Sequence, residues 1–501
     1  MVAAPGWTRR RFLTVGSLTA AGVWLGGCTS DSGRSEPSAR GLMLPSDPSI
    51  AARETQRRSV DAGLTTVDLT AGPVTVDLGG VVVDTTGYGD TVPGPLIRVR
   101  AGDELAVTFR NQLADPTVIH WHGLAIRNDM DGVPGLTQEP VPSGGEFTYR
   151  FVVPDPGTYW FHPHMGLDLD RGMYAPIIVD DPDEPGDYDT EDILIFDDWI
   201  DGIDGASPDT VLADLLAAGG MGHGEMMGSG GGGMMGMSSF GDVDYPLHLI
   251  NGRAPSDPIT VTGPPGGRVR LRMINAGSDT VYRVAIGGHA MTVTHLDGFP
   301  IEPVEVDTVL LSMGERVDVT VTVGDGMFPI VASAEGKTLS GVAWLRSAGS
   351  AATTPEPRPL LPEHDGRLLD VAAATATESV AYPTGTPDRA VDVRLGQDMG
   401  SYRWTINGAT HGNHEPLRIE SGERVRLRFG NDTMMVHPMH LHGHTFALAT
   451  SGAARKDTLL VPVMGSSAVD VIADNPGQWM LHCHNTYHLE AGMATTLAYL
   501  A

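Results

Sequence analysis

Three stretches, 102–111, 266–275 and 422–431, alternate apolar and polar side chains, open on glycine and close on asparagine. A period of two marks a strand with one face in a core, and the glycine marks the turn that feeds it. Ile250-Asn251-Gly252 and Ile406-Asn407-Gly408 precede the second and third copies at the same distance. One template met three times predicts three related domains, and the strand pattern makes each a β-sandwich of Greek-key type in an all-β chain. Few segments read as long amphipathic helices. The predicted sandwiches span residues 61–182, 183–346 and 363–501, with a Pro/Ala/Thr-rich linker at 347–362.

Composition agrees with this division. A chain of 501 residues exceeds one ordinary core. Its 64 Gly and 36 Pro beside 41% hydrophobic residues suit a turn-rich globular protein. The net charge of -29 argues against nucleic acid as a partner. Cys28 and Cys483 are the two cysteines, and both have other work below, so no disulfide is expected.

The repeat carries chemistry. His120-Trp121-His122 follows the first copy at the spacing at which His440-Leu441-His442 follows the third. His162-Pro163-His164 stands as far from His120 as His482-Cys483-His484 stands from His440. The middle copy has Val284 and Ile286 at the first of these places, which predicts a spacer without metal. On an extended strand His482 and His484 face one way and Cys483 the other, so one strand can serve two metal sites. A thiolate with His437, His488 and the weak thioether of Met493 is the donor set of a blue electron-transfer copper. The first domain has Thr117, Pro163 and Asp168 in the places of His437, Cys483 and His488, so a single blue site is expected. Eight imidazoles remain, enough for three further coppers. Structural zinc does not fit, because it takes four ligands, several of them commonly cysteine. The other histidines (His223, His248, His289, His295, His364, His411, His414 and His444) read as surface, loop or supporting residues, with His444 nearest the cluster.

The motifs His120-Trp121-His122-Gly123, His162-Pro163-His164, His437-Pro438-Met439-His440-Leu441-His442-Gly443 and the stretch from His482 to Met493 resemble the four copper signatures of the multicopper oxidases. The resemblance runs from about residue 60 to the end, and every ligand position is filled, which excludes the copper-free relatives of the fold. It implies three cupredoxin-like domains and four coppers per chain: one type 1, one type 2 and a type 3 pair. His120 and His440 are the implied type 2 ligands, and His122, His162, His164, His442, His482 and His484 those of the type 3 pair. The implied activity passes single electrons from a substrate through Cys483 and its neighbours His482 and His484 to the cluster, where dioxygen becomes water. Asp131 matches an acid that relays protons in the family. A second acid, which in many relatives directly follows the histidine at position 488, is replaced by Leu489, with Glu490 one place later.

The substrate is read from methionines. Met221, Met226, Met227, Met234, Met235 and Met237 crowd a glycine-rich loop, 221–239, and thioethers prefer Cu(I). Met435 matches a methionine of the cuprous-oxidase branch, whereas Thr433 replaces that branch's aspartate and Asp432 lies beside it. The branch carries its methionine-rich segment in the third domain; here it precedes the second. The expected reaction is oxidation of Cu(I) to Cu(II) as detoxification. A laccase-like oxidase of phenols or other small reductants is the alternative, and a non-enzymatic exported copper scavenger a more distant one.

Thr8-Arg9-Arg10-Arg11-Phe12-Leu13 followed by an apolar run forms a twin-arginine pattern, and Leu25-Gly26-Gly27-Cys28 resembles a lipoprotein box. Residues 1–28 are therefore expected to be an export signal and 29–60 a flexible tether. The expected place is the cell envelope, on the outer side of the cytoplasmic membrane or in the periplasm, with membrane contact only through a lipid on Cys28.

Overall fold

The computed structural model describes residues 41–184, 186–219, 239–351, 360–383, 385–449 and 452–501. Six sheets pair into three cupredoxin-like sandwiches. The repeated stretches form the strands Glu104–Asn111, Arg268–Asn275 and Arg424–Asn431. Their alternate residues enter three separate cores: Leu105, Val107 and Phe109; Val269, Leu271 and Met273; Val425, Leu427 and Phe429.

The closing asparagine does the same work in each copy. Asn111 Nδ2 donates to the carbonyls of Asp115 and Val141, Asn275 Nδ2 to those of Thr280 and Leu311, and Asn431 Nδ2 to those of Met435 and Pro462. A buried amide that donates twice to backbone pins the loop leaving its strand. In the first and third sandwiches that loop delivers the chain to a His-x-His strand.

There the two sandwiches match in register. His120 lies directly across from His162, and His440 from His482. In the middle sandwich the corresponding strand Tyr282–Ile286 pairs Val284 with Ala332 and Ile286 with Ile330. Apolar residues occupy the places where the outer sandwiches have imidazoles.

Two expectations need correction. The described part of the expected tether, residues 41–60, is structured. Pro48–Arg57 is a helix, capped by Asp47, which accepts from the amide of Ser49. Ile50 is buried, Arg53 pairs with Asp474 of the third sandwich, and Glu54 pairs with Arg127 of the first. The stretch is polar because its contacts are ion pairs rather than a core, so composition read as a tether. The leftover histidines are not uniformly peripheral either. His248 and His364 are buried in the middle sandwich, where His248 Nδ1 lies 2.7 Å from the Tyr282 hydroxyl.

The end of the proposed linker and the residues after it stay with the middle sandwich for a while. Leu361 packs on Ala285 and Val331, while Leu369 and Ala374 join the middle core. The first strand of the third sandwich is Arg389–Gln397. No helix among the described residues is long and apolar enough to cross a membrane.

Candidate metal centres

The strand His120–His122 turns Trp121 into the first core, so His120 and His122 face out of it. The strand His437–Leu441 does the same with Met439 and Leu441 in the third core. The exposed faces of the two strands meet. His120 stacks on His442 with ring centroids 3.7 Å apart, and His122 on His440 at 3.8 Å. His162, His164, His482 and His484 close the ring. Donor atoms fall within 4.8 Å of one another in the groups His122–His162–His484, His164–His442–His482 and His120–His440–His442. All eight rings are buried except His164, which is partly exposed.

A metal-binding imidazole needs one nitrogen free and the other committed to an acceptor. Six of the eight rings are held this way. His162 Nδ1 donates to the Pro163 carbonyl and His482 Nδ1 to that of Cys483. His120 Nδ1 donates to the Asp131 carbonyl, His440 Nδ1 to that of Asp457, and His442 Nδ1 to Asp131 Oδ2 at 2.9 Å. His122 is reversed: its Nε2 lies 3.3 Å from Asp457 Oδ1. The nitrogens His120 Nε2, His122 Nδ1, His162 Nε2, His164 Nε2 and His440 Nε2, and both Nδ1 and Nε2 of His484, are buried without a protein partner among the described residues. His442 Nε2 and His482 Nε2 point at each other, 3.1 Å apart. Burial, reinforced by neighbouring rings, holds His122, His162, His164, His442, His482 and His484 well below the ordinary imidazole range. Neutral rings with converging lone pairs are what a metal cluster requires, so these residues fit copper.

On the other face of the strand Gln478–Cys483 the side chain of Cys483 enters the third core. Its Sγ lies 3.6 Å from His437 Nδ1 and 3.5 Å from His488 Nδ1, and the two nitrogens are 3.1 Å apart. Bonds of about 2 Å to one metal place such donors roughly 3–4 Å from each other. Burial raises the thiol pKa, so a bound cation must take the proton's place. Met493 is buried in the same core, and its carbonyl accepts from the Cys483 amide. The outer nitrogens are again committed. His437 Nε2 donates to Thr433 Oγ1 at 2.8 Å, and His488 Nε2 to Asp242 Oδ2 at 2.9 Å.

Asp131 is fully buried and touches two rings of the cluster, with His120 Nδ1 3.2 Å from its Oδ1. Glu490 lines a small pocket together with His162, His164, His482 and His484. Met435 is buried beside the blue-site residues, and Asp432 is exposed and paired with Arg394. Met221, Met226, Met227, Met234, Met235 and Met237 lie outside the described residues, as does Cys28. His444 is buried, with its Nδ1 3.2 Å from the His442 carbonyl.

Three acids escaped the sequence reading: Asp242, which holds His488; Asp457, which touches both His122 and His440; and Asp279. Asp279 accepts from the amides of Asp242 and Val243 and from Asn485 Nδ2, so the middle sandwich anchors the loop that carries His488. None sits in a histidine motif, and the only local hint was the aspartate pair Asp242 and Asp244 after the methionine-rich stretch.

Comparison with known proteins agrees with the geometry. Three family profiles described as multicopper oxidase match residues 70–184, 234–350 and 385–500. The multicopper oxidase MmcO of Mycobacterium tuberculosis is 46% identical over 99% of this chain and 97% of its own. Copper resistance protein A of Escherichia coli is 28% identical, covering 89% of this chain and 94% of its own. The crystal structure of a multicopper oxidase from Pseudomonas thermotolerans superposes with a TM-score of 0.68 at 27% identity, covering 88% of this chain and all of that one. With matched profiles over each sandwich, and the histidines and the cysteine gathered as such an enzyme needs them, the chain belongs to the multicopper oxidase family, whose members use copper to pass electrons from a reductant to dioxygen.

Proposed function

We propose that this oxidase takes its electrons from Cu(I), releasing Cu(II), and that it holds four coppers. His437, Cys483, His488 and Met493 would hold the type 1 ion. His120 and His440 would hold type 2, and His122, His162, His164, His442, His482 and His484 the type 3 pair. Bound there, copper supplies one-electron exchange at the thiolate and the four-electron reduction of dioxygen to water at the cluster.

The chain's own residues arrange the traffic. Cys483 shares a continuous strand with His482 and adjoins His484, so the thiolate is covalently wired to both halves of the cluster. Asp131 Oδ2 accepts from His442, which leaves Oδ1 to hold a proton beside His120. Asp242 keeps the His488 proton on Nε2, at the edge where substrate arrives.

The observation that carries the Cu(I) reading is a cavity of 590 Å³ lined by Met399, Met434, Met435, Asp242, Asp398 and Asp432, with Trp404 and Thr433 among its walls. Met399 is fully exposed and Met434 is 70% exposed, an unusual position for apolar side chains. Thioethers beside carboxylates form a soft, anionic mouth suited to Cu(I) and not to a neutral phenol. Gly219 and Ser239, which bracket the methionine-rich stretch, line the same cavity. The partial match of Met435 and the copper-resistance names among the relatives support the same substrate.

Oxygen uptake with Cu(I) as sole reductant tests this. Fully copper-loaded protein should consume oxygen, and Met399→Leu with Met434→Leu should raise KM for Cu(I) several-fold while leaving phenol oxidation unchanged. No uptake with Cu(I) beside robust phenol turnover would establish the laccase-like alternative. Envelope location by a twin-arginine signal and a lipid on Cys28 belongs to the same proposal, and labelling of Cys28 with a fatty-acid analogue checks it.

A further inference from the structure

The middle sandwich contributes no imidazole to the cluster, yet one of its side chains reaches it. Arg316, in the strand Arg316–Thr322, is completely buried. All five of its N–H groups have partners. Nε donates to the Thr158 carbonyl, Nη1 to the Gly314 carbonyl and Asp457 Oδ1, and Nη2 to the Asp297 carbonyl and Asp457 Oδ2. The fork therefore grips both oxygens of Asp457 while its other donors are tied to the first and middle sandwiches. This is the two-pronged geometry that only arginine offers.

Asp457 Oδ1, so held, lies 3.3 Å from His122 Nε2 and 3.4 Å from His440 Nδ1. Thr458 Oγ1 donates to the same oxygen at 2.9 Å. His122 comes from the first sandwich and His440 from the third, and their rings stack. One carboxylate thus fixes which nitrogen carries the proton on His122 and braces its stacked partner. The packing leaves room for nothing else. A Cβ on Gly123 would lie 2.4 Å from Arg316 Nη2, and one on Gly314 would lie 2.9 Å from carbons of both His122 and His484. Lys456 and Asp297 complete the buried network, Lys456 Nζ lying 3.0 Å from Asp297 Oδ2.

We propose that Arg316 of the middle sandwich is a positioning residue for the cluster, acting through Asp457 to set the orientation of His122 and His440. The inference rests on the reading that these rings hold copper. Removing a group that orients a metal-bound histidine typically costs about 10- to 100-fold in metal affinity.

The test is chelator titration of copper-loaded protein, following copper content, the type 2 paramagnetic signal and the blue band of the Cys483 site separately. In Arg316→Met the cluster copper should be stripped at about 10- to 100-fold lower chelator concentration, with an altered type 2 signal and an unchanged blue band. Asp457→Asn should show the same selective loss, and the double variant should be no worse than either single one, because both act on one contact. Wild-type chelator resistance and signal in Arg316→Met would overturn the proposal, as would additive losses in the double variant. If Arg316→Met yields no folded blue protein, Arg316→Lys, which keeps the charge but not the fork, is read in its place by the same criteria. Wild-type protein that takes up only the blue copper would instead sink the cluster reading on which the proposal rests.

Discussion

The segments 157–173 and 477–493 share a backbone and differ in chemistry. Gly157 and Gly477 have φ of 144° and 145°, and Gly172 and Gly492 of 95° and 121°. The amide of Met173 donates to the Asp168 carbonyl as that of Met493 does to the His488 carbonyl. Both methionines are fully buried, and Thr117 pairs with Val141 as His437 pairs with Val461. The first sandwich thus has the backbone frame of the Cys483 segment, with Met173 in the place of Met493. It has Thr117, Pro163 and Asp168 where the third has His437, Cys483 and His488. His162 and His164 share one face of the first segment as His482 and His484 share one face of the third, because that face is set by alternation alone. A redox site on the inner face needs three particular side chains that the frame does not supply.

The harshest way to break the comparison is Cys483→Ser, which should make the third segment as colourless as the first. Blue absorption and oxygen uptake should both fall to background, and retained colour would place the blue site elsewhere. In that background, Thr117→His with Pro163→Cys and Asp168→His asks whether the frame suffices. A copper-dependent blue band should return, since Met173 is already in place; no band would show that the surrounding wall matters as much as the ligands. Asp131→Asn acts only on the shared face. It should lower kcat by about 10- to 100-fold while anaerobic reduction of the blue copper proceeds at the wild-type rate.

The smallest effect concerns Asp168, whose carboxyl is pushed up to about 6 by burial against the pull of Arg171. A raised folded-state value favours the protonated form. Its stabilising contribution is therefore complete below pH ~4 and lost as pH rises through about 6. Asp168→Asn should accordingly be more stable than wild type above pH 6, by about 1–3 kcal/mol, and the gain should vanish near pH 4. Thermal unfolding at pH 5 and pH 8 checks the sign.

The middle sandwich changes character between sequence and structure. Val284 and Ile286 marked it as a spacer, and they pair with Ala332 and Ile330. Yet Arg316 grips the acid beside the cluster, and Asp279 ties the loops that carry His488 and Asp242. Spacing arguments find ligands and miss such braces, because a brace has no fixed partner distance along the chain. The helix Pro48–Arg57 was missed for a related reason. Its Asp-Pro start was visible, but with Ile50 as its one buried residue it carries no apolar stripe to announce what it packs on.

The sequence by itself determined the three sandwiches and which histidines and cysteine come together between and within them. A strand's period of two assigns each side chain to a face, and a repeated interval between His-x-His pairs needs no knowledge of packing. Only the tertiary structure decided that Asp131 holds His442, Asp457 holds His122 and Asp242 holds His488. It also decided that thioethers and carboxylates share one cavity with Asp242, the partner of His488. The physical reason is distance along the chain. His488 meets Asp242, His442 meets Asp131, and Arg316 meets Asp457 across separations of 246, 311 and 141 residues. Contacts of that range are made when sandwiches dock, and no local periodicity records them.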